Sequence, residues 1–130
     1  MHPGVYADLL SAKMAEHGAT AWLINTGWSG GAYGVGSRMK IRHTRAMLNA
    51  ALDGDLDGVE FVKDARFGFE VPVECPNVPS EVLQPRSTWV DKSEYDSTAD
   101  KLASMFNDNF ARYAQGVSEA VNSSAPTPNA

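Results

Sequence analysis

A single cysteine, Cys75, stands in the chain of 130 residues, which excludes an internal disulfide and fits a reducing compartment. It precedes Pro76 with no histidine nearby, so it reads as an inert thiol rather than a nucleophile. No apolar run approaches the roughly 18 residues needed to cross a bilayer, and no secretory leader precedes the first helical pattern. A soluble, cytoplasmic chain is therefore expected. Positive charge is in the minority, with 11 Lys and Arg against 16 Asp and Glu and a net charge of −5. That balance argues against broad binding to nucleic acid or to anionic membranes. The three histidines, His2, His17 and His43, show no metal-ligand spacing. Internal repeats are missing too, as is any nucleophile paired with a general base.

What is present fits one modest domain. A lone domain of this size hides a smaller share of its surface than a large one, so contacts with further chain would matter to it. The spacing of Tyr6, Leu10 and Met14, with Val5 and Leu9 beside them, predicts a helix over 5–16 that stops at Gly18. Ala21 to Ile24 is a short apolar run that reads as a buried strand. The stretch Thr26 to Arg38 holds Gly27, Gly30, Gly31, Gly34 and Gly36, five of the 11 glycines; such density marks unusual backbone angles or close backbone approach. Alternation of Met39 and Ile41 with Arg38, Lys40 and Arg42 predicts a brief strand. A second helix is expected over 44–52, capped by Thr44 and ended by Gly54. Strands are expected at 59–62 and 67–73, the second weakened by Gly68, followed by a turn-rich segment around Pro72, Pro76, Pro79 and Pro85. Ala99, Leu102, Ala103, Phe106, Phe110 and Tyr113 trace a last helix, with Ser97 and Asp100 placed like a capping box. After Gln115 the composition turns to Asn, Ser, Pro, Thr and Ala, and residues 116–130 are expected as a disordered tail.

Three patterns bear on chemistry. Gly31 to Gly36 sets the frame of a phosphate-binding P-loop, but Ser37 stands where lysine is required and Arg38 where Ser or Thr is required. A true P-loop is thereby rejected. A looser anion site remains, in which glycine-rich backbone and Arg38 line a nucleotide or carboxylate; a mobile surface loop beside a solvated edge strand explains the same residues. Arg38, Lys40, Arg42, His43 and Arg45 form a compact basic island in an acidic chain, which points to a local anion site. Thr44 serves either as a plain helix cap or as a ligand contact at a helix N-terminus, and the two are compatible. Asp53, Asp55, Asp57 and Gly58 spell the start of a calcium loop. Its twelfth position, however, is Asp64 rather than Glu, its eighth is Glu60, and a strand-like run follows, so an acidic turn is the better reading. Asn122-Ser123-Ser124 matches a glycosylation acceptor, discounted without a secretion signal.

The runs Trp22-Leu23-Ile24-Asn25-Thr26-Gly27-Trp28, Gly30-Gly31-Ala32-Tyr33-Gly34-Val35-Gly36, Arg38-Met39-Lys40-Ile41 and Thr44-Arg45-Ala46-Met47 closely resemble ATP-dependent phosphoenolpyruvate carboxykinases. The likeness continues through Pro79-Ser80-Glu81-Val82-Leu83 and Pro85-Arg86-Ser87-Thr88-Trp89 to the last helix. It corresponds to about the last quarter of that family's length. The resemblance implies an α/β fold, as a partial C-terminal lobe of the carboxykinase fold over 1–115 ahead of the tail. It implies a gluconeogenic lyase that converts oxaloacetate and ATP to phosphoenolpyruvate, ADP and carbon dioxide, with Mg²⁺ and Mn²⁺ both involved. Arg38, Met39 and Thr44 would contact ATP, Arg38 through planar charge and stacking and Met39 through backbone and apolar surface. Ser37 departs from the family, which commonly carries lysine there. The family's phosphate loop, metal ligands and oxaloacetate-binding residues lie upstream of the matching part, in a missing N-terminal portion that would be this chain's partner. The isolated chain is accordingly expected to be inactive. A free-standing, non-catalytic nucleotide-binding or regulatory module is the rival reading, and a non-functional remnant a third.

Overall fold

The computed structural model describes residues 2–25 and 27–130. Thr26, which opens the glycine-rich stretch, and Met1 lie outside the described residues. Among the described residues the chain is a mixed α/β structure with two separate two-stranded antiparallel sheets.

Helix α1 spans Pro3–His17. Proline suits its first turn, where a missing N–H costs nothing, and the His2 ring accepts a hydrogen bond from the Gly4 N–H at 3.1 Å. Gly18 ends it as expected, in left-handed backbone. The apolar residues Val5, Tyr6, Leu9 and Leu10 do not form a buried stripe; all four are exposed. At 21–24 no strand forms; Trp22 and Ile24 are half-buried, and Leu23 is 79% exposed. Alternating side chains fit a strand, yet among the described residues no neighbouring strand is there to complete the ladder.

Strands β1 (Trp28–Ser29) and β2 (Ser37–Arg38) close the glycine stretch into a small hairpin, with Trp28 opposite Arg38 and Ser29 opposite Ser37. The strand expected to continue through Ile41 stops at Arg38, because Ile41 already opens helix α2 (Ile41–Asp53). The α2 face made by His43, Ala46, Met47 and Ala50 turns inward, since these positions recur at helical spacing. Gly54 ends α2 as expected. The acidic turn that follows buries Leu56 between Asp55 and Asp57, so the carboxylates flank a core residue.

Strands β3 (Phe61–Lys63) and β4 (Glu70–Pro72) pair antiparallel with Val62 opposite Val71, shorter than the two runs predicted. Asp64 ties their turn, accepting from the Arg66 N–H at 3.0 Å and the Phe67 N–H at 2.6 Å. The proline-rich segment is more ordered than its composition implies and forms two helical turns, α3 (Ser80–Leu83) and α4 (Pro85–Thr88). Helix α5 runs Lys92–Phe110 and begins five residues before Ser97. Its cap is Asp91, which accepts from the Ser93 and Glu94 N–H groups at 2.8 and 3.2 Å. Ser97 and Asp100 are therefore not a capping box; the Ser97 hydroxyl donates to the Glu94 carbonyl within the helix.

Residues 116–130, expected to lack structure, carry a helical turn α6 (Glu119–Ser123). They also bond back to the body, with the Thr127 N–H on the Arg66 carbonyl at 2.7 Å and the Asn107 amide on the Pro126 carbonyl at 2.9 Å. Composition does not reveal these contacts, because in each the 116–130 segment takes part through its backbone, as donor at Thr127 and as acceptor at Pro126, which almost any residue type can offer.

Ala50, Leu56, Cys75, Val78 and Leu83 form the core cluster, and Trp22, Ala46, Met47, Ala51, Val59, Val71 and Val82 pack against it. The core thus sits directly beneath α2 and fixes that helix, and with it the hairpin ahead of it. Among the described residues no helix is long and apolar enough to cross a membrane.

Candidate functional site

The basic island becomes a physical surface at the junction of β2 and α2. Arg38 closes β2, Met39 and Lys40 turn the chain, and Thr44 sits in the second turn of α2. Arg38, Lys40, Arg42 and Arg45 are all exposed, and among the described residues none of them forms an ion pair. His43 differs from its neighbours and is only 7% exposed.

Thr44 is not the helix cap. Lys40 holds that position, and no side chain there satisfies the helix end. The first turn of α2 contains no acidic residue, so cations crowd the positive end of the helix dipole. That local conflict costs about 0.3–1 kcal/mol per charge at such an end, and an anion would relieve it. Two further atoms point the same way. Thr44 Oγ1 and His43 Nδ1 are buried and have no hydrogen-bond partner. Polar groups in that state carry a desolvation penalty of about 1–3 kcal/mol unless something satisfies them. Arg38 and Met39 thus lie on the turn that leads into α2 and Thr44 in its second turn; among the described residues Arg38 makes no ion pair and the Thr44 hydroxyl has no hydrogen-bond partner. The Met39 N–H is already engaged, donating to the Gly27 carbonyl at 3.0 Å. Its carbonyl and half-buried side chain are what remain for a ligand.

The hairpin that presents Arg38 is tightly wound. A Cβ added at Gly36 would lie 2.5 Å from the Gly31 carbonyl oxygen and 2.7 Å from that of Ser29, so only glycine fits. Trp28 and Tyr33 pack edge to face across it with centroids 5.1 Å apart. Thr88, from the distant α4, accepts the Gly30 N–H at 3.0 Å. Nothing in the spacing of the sequence links Thr88 to this hairpin, although Thr88 lies in a run already notable for Pro85 and Arg86.

Behind the hairpin, Arg86 grips Asp96 through two bonds, Nε to Oδ1 at 2.9 Å and Nη2 to Oδ2 at 3.0 Å. Arg66 bonds Asp100, which also accepts the Asn129 N–H at 2.8 Å. These bonds hold the carboxyls of Asp96 and Asp100 below the usual range, chiefly through Arg86 and Arg66 respectively. Cys75 is buried and burial pushes its thiol up, in keeping with an unreactive side chain. Among the described residues no group of three or more His, Cys, Asp or Glu side chains converges to hold a metal ion. Asp53 ends α2, and Asp55 and Asp57 lie in the turn that follows it.

The family model described as phosphoenolpyruvate carboxykinase matches residues 1–81, a span that contains Arg38, Met39 and Thr44. A protein of Geotalea uraniireducens named phosphoenolpyruvate carboxykinase (ATP) is 57% identical over 121 residues, covering 93% of this chain and 23% of its own length. The Ruegeria sp. protein of the same name is 57% identical over 123 residues, covering 95% and 23%. That of Thermus thermophilus is 52% identical over 126 residues, covering 97% and 24%. The chain spans about a quarter of the length of the curated relatives it matches. On a family match over more than half of its residues, the chain belongs to the phosphoenolpyruvate carboxykinase family.

Proposed function

We propose that this chain is the C-terminal nucleotide-site portion of an ATP-dependent phosphoenolpyruvate carboxykinase, carried by residues 1–115. In the whole enzyme it would serve the conversion of oxaloacetate and ATP to phosphoenolpyruvate, ADP and carbon dioxide, in the cytoplasm. The observation that carries the reading is the unsatisfied Thr44 hydroxyl beside a cation-rich, uncapped helix start. Arg38 offers a planar guanidinium that stacks on a base or pairs with an anionic oxygen. Thr44 supplies a hydroxyl that can donate or accept, and Met39 supplies a half-buried apolar surface and a free carbonyl. Ser37, in the place where the family commonly has lysine, leaves the site one cation short, so Arg38 carries more of the electrostatic attraction.

Phosphoryl transfer depends on positioned cations and metal ions around the transferred group. The divalent cation of the reaction, Mg²⁺ or Mn²⁺, finds no donor set among the described residues. By the family resemblance, its ligands, the phosphate cradle and the oxaloacetate site would lie in the remainder of the enzyme, which would be this chain's partner. The isolated chain contributes nucleotide contacts and no turnover.

Equilibrium dialysis against labelled ATP tests the site. Removing the cation with Arg38→Ala deletes a charge-assisted bond, which corresponds to roughly a tenfold or greater loss of affinity. Equal binding by both proteins would sink the assignment of Arg38. Carboxykinase activity in the purified isolated chain that disappears in the Arg38→Ala protein would sink the claim that it is inactive alone.

A further inference from the structure

We infer that Thr88 is a positioning residue for the nucleotide site, a latch that sets the glycine hairpin and through it Arg38 and Met39; this rests on the nucleotide reading above. Thr88 lies 58 residues from Gly30, yet its Oγ1 accepts the Gly30 N–H at 3.0 Å. The same hydroxyl donates its proton to the Pro85 carbonyl at 2.7 Å, so its orientation is fixed and a lone pair faces Gly30. Ser29 Oγ stands 3.4 Å from it. Backbones also meet here: a Cβ on Gly30 would lie 3.2 Å from the Thr88 carbonyl oxygen, and Gly30 has a φ of +80°. Glycine is the residue that takes that angle without strain. Close approach, left-handed backbone and a fixed acceptor coincide at one point.

The latch is itself anchored. Arg86 ties α4 to α5 through its two bonds to Asp96, and the Lys92 ammonium donates to the carbonyls on either side of Thr88, Ser87 at 2.9 Å and Trp89 at 2.7 Å. From Gly30 the constraint passes along the hairpin through the Ser29–Ser37 and Trp28–Arg38 pairs, and on to the Met39 N–H bound to Gly27. A hairpin with so many glycines loses much backbone entropy on ordering. A remote anchor is the physical means of keeping Arg38 in one place, and misplacement of such a group weakens binding without removing it.

Thr88→Val keeps the shape and deletes the hydroxyl, and Thr88→Ser keeps the hydroxyl. Hydrogen exchange at the Gly30 and Met39 amides reads the latch, and ATP titration reads its consequence. Expected are faster exchange at both amides and roughly fivefold to tenfold weaker ATP binding in Thr88→Val, with both restored in Thr88→Ser. If Arg38→Ala loses ATP binding while Thr88→Val binds as tightly as the parent, the positioning role is overturned and the nucleotide reading stands. If the parent chain binds no ATP, the nucleotide reading and the positioning role fall together. If Gly30 exchange is unchanged in Thr88→Val, the latch does not exist whatever ATP does.

Discussion

Thr44 carries a hydroxyl that the protein buries and leaves without a partner. Removing an unsatisfied buried polar group for an apolar one of the same shape is neutral or stabilising. Thr44→Val is therefore expected to melt at the same temperature or higher while binding ATP several-fold more weakly, measured by calorimetry and dialysis on one preparation. A loss of stability would mean that the hydroxyl serves the fold. Cys75 offers a second test at this scale. Burial raises its pKa, followed by the nearby Asp55 carboxylate, so at neutral pH the thiol stays protonated. A thiol reagent should label it only as fast as the chain opens, with the rate following denaturant; prompt labelling in the native state would contradict that burial. The basic cluster and a cap-like position bring Arg38 and Thr44 to notice from the residues alone, whereas Met39 enters only through the family resemblance. Sequence alone could not rank Thr44 as cap or contact, since that depends on where the helix begins, and Lys40 rather than Thr44 holds the cap.

At the scale of elements, the hairpin is the least forgiving part. Gly36→Ala would push a methyl group to 2.5 Å from the Gly31 carbonyl oxygen, an overpacking of about 1–3 kcal/mol. Loss of protection at the Met39 amide is expected, with α2 retained. The α4–α5 clamp answers to acid instead. Asp96 and Asp100 have carboxyls held below their ordinary values by Arg86 and Arg66. A depressed carboxylate gives stability that is present above the unfolded pKa of about 4 and lost as pH falls through the folded one. Stability should accordingly be flat from neutrality to about pH 5 and fall below about pH 4. The Asp96→Asn, Asp100→Asn double variant should flatten that fall; an unchanged profile would remove the clamp as its cause. Helices with periodic faces and clear stops, α1 and α2, were legible in sequence, because Gly18 and Gly54 announce their ends. The helical turns α3 and α4 were not. Prolines read as breakers, yet Pro85 occupies a helix start, where its missing N–H is harmless. The start of α5 is not marked by periodicity, because its apolar stripe becomes regular only from Ala99 and the first turn offers Tyr95 alone, packed on Trp89.

The whole molecule is defined by what it leaves uncovered. Among the described residues no large side chain is fully buried, while Val5, Tyr6, Leu9 and Leu10 on α1 and Leu102, Met105 and Phe106 on α5 stand exposed. Exposed apolar faces of this kind are normally covered by further structure, and relatives four times as long have it to offer. The isolated chain should bind a hydrophobic dye and associate in solution, seen by fluorescence and light scattering. A monomer that melts cooperatively and binds no dye would favour a free-standing module over a portion of a larger enzyme. Exposure on this scale could not be read from the sequence, because the helical periodicity that marks a core face is the same whether the covering residues are present or not. The family is legible in the residue pattern of the runs around Gly30–Gly36 and Arg38–Met47 rather than in any catalytic or metal-ligand spacing. Backbone amide shifts recorded by NMR during an ATP titration locate the nucleotide on the chain. Shifts concentrated at Arg38, Met39 and the first two turns of α2 around Thr44, and absent in the Arg38→Ala protein, are expected. Shifts centred elsewhere, or none at millimolar ATP, would contradict a nucleotide site there.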